Sequence, residues 1–200
     1  MFALDRMWFG GRVHPLVFEA DADGIRLAPD GATPDGRLVG TALPGFRDVH
    51  VHLGLVDPST LLANGIATVI DCGWIPDVAA TWIGDPALPE VRISGAFLTC
   101  PGGYPSDREW APPGSVREVT ARDAAAAVDE QLAHGAEFIK VVLNSDAGPV
   151  LEDATLRSIV ARAHARGGRV IAHTEGEGQA SRAFAAEVDG LAHAPFSERL

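Results

Sequence analysis

The segment LPGFRDVHVHLG, residues 43–54, places two histidines one residue apart at the end of an apolar run. Side chains alternate across a strand, so Asp48, His50 and His52 share one face if this run is extended. Two imidazoles on one face, near the carboxyl end of a strand, can reach a single divalent ion. The carboxylate one step below them can orient a ligand. An isolated His-x-His serves equally well as a pair of hydrogen-bonded histidines on a half-buried strand. Three other positions bear on that choice. Lys140 lies inside EFIKVVL, a run that reads as a strand covered on both faces. An unpaired ammonium there is costly, so this lysine must be partnered, neutralised or chemically changed. A carbamate on its amine would turn the cation into an anion able to bridge two metals. The simpler alternative is a lysine at a strand end that reaches solvent or a carboxylate. His173 ends RVIAHT and His193 ends DGLAHAPF, both at the carboxyl ends of apolar segments, where sites in α/β sheets and barrels lie. His14 falls in a β segment, and His134 and His164 fall at helix ends; none is given a catalytic role.

These residues need strands to carry them. Residues 1–43 are punctuated by FGGRV, DADG and PDGATPDG, which predict a small β unit with strands at 12–18, 24–27 and 37–42. From Leu43 onward, short apolar runs alternate with helical patterns, the signature of βα units and a parallel sheet. The expected strands are 46–51, 66–72, 91–99, 137–143, 169–174 and 190–194. Leu156, Ile159, Val160 and Ala163 recur at helical spacing, with Asp153 placed to cap the start and Gly167-Gly168 to end it. Thr120-x-x-Asp123 reads as a capping box ahead of a second helix. The Pro/Gly-rich connection 100–116 carries Tyr104, Arg108 and Trp110. It is expected to sit over the site and shape a pocket, or to be a plain surface excursion.

Composition narrows the function. The chain has 200 residues, 46% hydrophobic and 22% charged, enough to bury a sizeable core. A net charge of −11 argues against nucleic acid or an anionic membrane as partner. No apolar run approaches the ~20 residues that span a bilayer. The start, MFALDRMWFGGRV, lacks the basic-then-apolar order of a secretory signal. Two cysteines, Cys72 and Cys100, make no disulfide framework, so a cytoplasmic setting is expected, with both as small, partly buried thiols.

LPGFRDVHVHLG resembles the first-strand signature of the amidohydrolase superfamily, metal-dependent hydrolases built on (β/α)8 barrels, and LLANGIATVIDCG resembles the segment that follows it. GAEFIKVVL, VIAHT and GLAHAPF are similar to the lysine and fifth- and sixth-strand histidine segments of its imidazolonepropionase-like and prolidase-like branch. The resemblance implies an α/β fold of TIM-barrel type. Residues 44–200 would supply about six βα units, and residues 1–43 part of a small β-sandwich. It implies that His50, His52, Lys140, His173 and His193 hold one or two divalent ions, with Lys140 carboxylated as the bridge. Zinc is the default for such ligands, with manganese, cobalt and iron as alternatives. The implied activity is hydrolysis of an amide or cyclic amide C–N bond in a small-molecule substrate through a metal-activated water, with Tyr104 and Arg108 as substrate contacts.

The family's seventh and eighth strands, and the aspartate that shuttles the proton, are not in this sequence; nothing in the spacing of Asp71, Asp146 or Glu175 selects one as a substitute. Two rivals therefore stand beside a working hydrolase. One is a catalytically incomplete piece, completed by a further segment or by a second chain in an oligomer, and the other is a metal-free solute-binding module.

Overall fold

The computed structural model describes residues 1–9, 11–21 and 24–199, and the chain divides into two units, Met1–Phe46 and Arg47–Leu200. The first unit is β1 (Phe2–Phe9), β2 (Arg12–Asp21), β3 (Gly24–Leu27) and β4 (Gly36–Ala42), in the order β3-β2-β1-β4. β1 pairs antiparallel with β2 and parallel with β4. Facing pairs Phe2–Phe18, Leu4–Leu16 and Leu4–Leu38 gather apolar side chains on one side of the sheet. β1 was not expected from the sequence. Its pairing shifts between Leu4 and Met7, and such a bulge inverts the in-out alternation that marks a strand. Among the described residues this unit is a single four-stranded sheet.

The second unit contains β5 (Phe46–Val51), β6 (Ile66–Asp71), α1 (Pro76–Ala80), β7 (Glu90–Ile93), β8 (Phe97–Thr99), β9 (Val116–Glu118), α2 (Ala124–Ala133), β10 (Phe138–Asn144), α3 (Asp153–Ala165), β11 (Arg169–Glu175), α4 (Gln179–Ala185) and β12 (Gly190–Leu191). β5-β6-β7 form one sheet, and β12-β11-β10-β8-β9 form a second that is parallel throughout. The fold is mixed α/β with parallel sheets.

The span 91–99, expected as one strand, is two. Gly95 adopts φ +73°, and a Cβ there would lie 2.3 Å from Gln131 Oε1, the atom that accepts from the Ala96 amide at 2.7 Å. The bend hands the chain from one sheet to the next. Ser94 N donates to Asp71 O on one side, and Ile93 O accepts from Glu137 N on the other. Residues 58–64 form two short 3-10 turns, the first opened by Pro58 and the second closed by the left-handed Gly65. β12 stops at Leu191, so His193 follows the strand instead of closing it.

β10 is buried along its whole length. Ile139, Val141 and Leu143 pack with Val128 of α2 and with Leu156, Ile159 and Val160 of α3. That leaves Lys140, Val142 and Asn144 to the opposite face. α3 is capped differently from expectation: Glu152 takes the N-cap without a side-chain bond, and Asp153 instead pairs with Arg182 at 2.7 Å. Thr120 and Asp123 form half of the expected box, with the Asp123 carboxylate accepting from the Thr120 amide at 2.8 Å. Among the described residues, no helix is long and apolar enough to cross a membrane.

Leu156 is fully buried where α3 meets the sheet. Leu156→Ala is expected to lower unfolding stability by about 2–5 kcal/mol through lost burial and an unfilled cavity. Urea denaturation followed by far-UV circular dichroism reads this directly.

Candidate metal centre

β5 ends at Val51, and its alternation sets His50 on the face of the unit that also receives Lys140 and Val142 from β10 and His173 from β11. His52 and His193 join from just beyond β5 and β12. With Leu55, Phe97, Tyr104 and Trp110, these residues line a cavity of about 390 Å³. The rings of His50 and His52 stand 5.4 Å apart, those of His50 and His193 6.1 Å, and those of His173 and His193 4.7 Å.

Hydrogen bonds decide which nitrogen each ring offers. His50 Nδ1 lies 3.1 Å from Ala192 O and His52 Nδ1 3.2 Å from Gly73 O. A carbonyl only accepts, so both Nδ1 atoms carry hydrogen and both Nε2 lone pairs stay free. His173 Nδ1 and His193 Nε2 point at each other across 2.9 Å. All of the sequence-derived metal candidates are thus brought together. As drawn, no group of three or more His, Cys, Asp or Glu side chains among the described residues meets metal-holding geometry.

Burial and mutual repulsion disfavour the charged forms of His50, His52 and His173. His52 is pushed down to about 4, by burial first and then by His50 and Lys140. His173 is pushed down to about 3, by burial first and then by His193, Lys140 and the other two rings. His50 is lowered for the same reasons. Lys140 is 1% exposed, its Nζ has no hydrogen-bond partner among the described residues, and burial lowers its amine to about 8 against the opposing pull of Cys72 and Asp71. Neutral imidazoles with free lone pairs, beside a buried amine with nothing to bond, fit a divalent ion.

The carboxylates are placed otherwise than the sequence suggested. Asp48 accepts from the His50 backbone amide at 3.0 Å. Asp71 is fully buried and accepts from Leu53 N at 2.7 Å and Gly73 N at 3.3 Å; burial raises its carboxyl to about 6. It therefore braces the turn beside His52 and does not line the cavity. Asp146 is exposed on a loop. Glu175 does reach the site, 3.5 Å from His173 Nε2, held by Asn144 Nδ2 at 2.8 Å. Asn144 was missed, although the alternation of FIKVVLN puts it on the same face as Lys140.

The 100–116 connection does cover the site. Tyr104 stacks on His173 with centroids 5.6 Å apart, and Trp110 on His52 at 5.7 Å. Arg108 sits behind this wall, its guanidinium 5.4 Å over the Tyr104 ring, and does not line the cavity. The close approach depends on Gly103, where a Cβ would lie 2.3 Å from Thr99 Oγ1 and 2.9 Å from Pro149 O. Outside the site, His134 and His164 face Asp77 and Asp189. Cys72 and Cys100 are free thiols, the first buried.

No protein-family model and no curated protein matches the sequence. Solved structures do. Ochratoxinase from A. niger is 19% identical over 95% of this chain and 58% of that one, with a TM-score of 0.71. A Xaa-Pro dipeptidase with bound methionine is 20% identical over 95% and 60%, with a TM-score of 0.69. A candidate prolidase from Bifidobacterium longum is 21% identical over 95% and 53%, with a TM-score of 0.74. An amidohydrolase is in the same set. The motif resemblance and the fold resemblance therefore point to the same proteins, and at such identities the likeness is one of fold. The chain spans about half to three fifths of the length of the structures it matches.

The buried rings make stability depend on pH. His52 and His173 stay neutral in the fold down to about 4 and 3, while the unfolded chain takes up protons near the ordinary 6.5. Their contribution is present above that value and lost as pH falls through this window. Asp71, raised to about 6, acts in the opposite sense, favouring the fold at low pH and losing that gain as pH rises. Two rings outweigh one carboxyl, so the urea midpoint is expected to drop between pH 7 and pH 5. In a His52→Gln/His173→Gln double variant that dependence should weaken or reverse.

Proposed function

We propose that this chain carries the metal-binding half of a hydrolase acting on an amide or cyclic amide C–N bond in a small molecule. The observation that carries the proposal is the convergence of four imidazoles on a buried lysine amine under an aromatic wall. His50 and His52 would hold one divalent ion, and His173 with His193 would hold a second. Lys140 would contribute as a carbamate, formed when its neutral amine attacks CO2, an N–C bond forms and a proton leaves. That change would replace a buried ammonium by a carboxylate whose oxygens carry the negative charge and can face cations. Zinc is the favoured ion for this ligand set. When bound, such ions polarise the scissile carbonyl and lower the pKa of water toward ~7.

The chain's own residues do the rest. Trp110 and Tyr104 hold the His52 and His173 rings against rotation and keep bulk water off them, while Leu55, Phe97 and Val142 receive the apolar part of a substrate. The backbone carbonyls of Ala192 and Gly73 fix two ring tautomers. The proton-shuttling carboxylate expected in such a hydrolase is supplied by a further segment or by a second chain, a reading favoured by the coverage of the matched structures. Free thiols at Cys72 and Cys100 accord with a cytoplasmic setting.

Elemental analysis after dialysis against zinc and bicarbonate tests the proposal. Two equivalents per chain are expected, falling to one in Lys140→Ala and to one or fewer in His50→Ala/His52→Ala. Unchanged stoichiometry in the first variant removes Lys140 from the site. Absence of zinc from the wild type ends the metal reading in favour of a solute-binding module.

A further inference from the structure

His193 lies beyond the parallel ladder that leads to it. β12 pairs with β11 through Gly190 and Leu191, and Ala192 N donates to Ala172 O at 2.8 Å. Past that point, among the described residues, no backbone–backbone hydrogen bond holds residues 193–199. The path from Leu191 to Ser197 is also longer than the path from Ala172 to Gly176 beside it, so His193 stands in slack chain. Its Nε2 nevertheless lies 2.9 Å from His173 Nδ1. A hold on the far side of His193 is needed to take up the slack.

Two side chains supply it. Ser197 Oγ accepts from Gly176 N at 2.9 Å and donates to Gly176 O at 3.3 Å. A hydroxyl can do both at once, so it stands in for a further rung of the ladder. Glu198 reaches the start of α4, where the N-cap Gly178 has no side chain to offer. One of its carboxylate oxygens accepts from Ala180 N, and the other accepts from Ser181 Oγ at 2.9 Å. The first of these satisfies an amide that a Ser or Asp N-cap would otherwise serve. The anchor itself has little room to move. Gly176 adopts φ +93°, a Cβ there would collide with Ser145 Oγ, and Ser145 N donates to Glu175 O at 3.0 Å. Between His193 and the clasp, Pro195 fixes its own φ and restricts Ala194.

We propose that Ser197 and Glu198 are positioning residues: by clasping Gly176 and the start of α4 they hold His193 against His173, and so set the spacing of two rings that would share an ion. The inference rests on the metal reading above. Neither residue touches the cavity. They act through the chain that carries His193, joining it to the turns that follow β10 and β11, the strands that carry Lys140 and His173.

Ser197→Ala removes both bonds to Gly176, Glu198→Ala removes both bonds to α4, and Ser197→Thr keeps the hydroxyl. In the metal-free full chain, nuclear Overhauser contacts between the His173 and His193 rings are expected in the wild type and in Ser197→Thr. They are expected to vanish in Ser197→Ala/Glu198→Ala. Affinity for the second zinc equivalent, measured by competition with a chromophoric chelator, is expected to fall about tenfold in the double variant and to be retained in Ser197→Thr. Urea denaturation identifies the variants that are folded under the assay conditions, and Ser197→Ala alone takes the place of the double variant if the latter is not. A folded variant lacking the clasp that keeps either the ring contact or the affinity for the second zinc overturns the inference, as does a wild type without the ring contact. A wild type that shows the ring contact and binds no zinc overturns the metal reading alone, since the contact is read without metal.

Discussion

The second unit is organised around one buried amine. Among the described residues Lys140 is the largest fully buried side chain, and its Nζ finds no acceptor there. Its position is forced: the alternation that sends Ile139, Val141 and Leu143 into the helix-covered core sends Lys140 to the other face. A buried ammonium without a counter-charge is unfavourable by several kcal/mol, and the lowered pKa is the local response. The same burial depresses His50, His52 and His173, so one desolvated pocket disfavours the charged forms of three imidazoles and of the amine together.

The second organising feature is the use of backbone to set side-chain chemistry. His50 and His52 are oriented by carbonyl oxygens, of Ala192 and Gly73, that lie outside their own strand. The fully buried Asp71 braces the turns on both sides of His52 through the amides of Leu53 and Gly73. The rings of His50 and His52 are therefore held by the fold itself.

Much of this was legible in the sequence. Period-two patterning and the carboxyl-end histidines located β5, β10 and β11 and gathered His50, His52, Lys140, His173 and His193 before any coordinates. What escaped depended on pairings between distant residues. The bulge in β1 hides its alternation, the bend at Gly95 divides what reads as one apolar strand, and β9 is three residues inside an irregular stretch. Side-chain bonds were equally hidden. Nothing local says that Asp48 and Asp71 serve backbone amides while Glu175 and Asn144 turn toward a ring, since each partner lies on another element or depends on a rotamer. Arg108 was placed in the cavity because it shares a loop with Tyr104; the loop's turn puts it behind that ring.

The bond from His50 to the carbonyl of Ala192 ties together residues 142 positions apart. During synthesis the first histidines leave the ribosome long before the last strand exists, and in that interval nothing can select their ring tautomers. The arrangement of these rings then waits on contacts between distant parts of the chain, which are intrinsically slow to form. An unfinished polypeptide emerging from the tunnel carries the histidines without the orientation that the later strands give them.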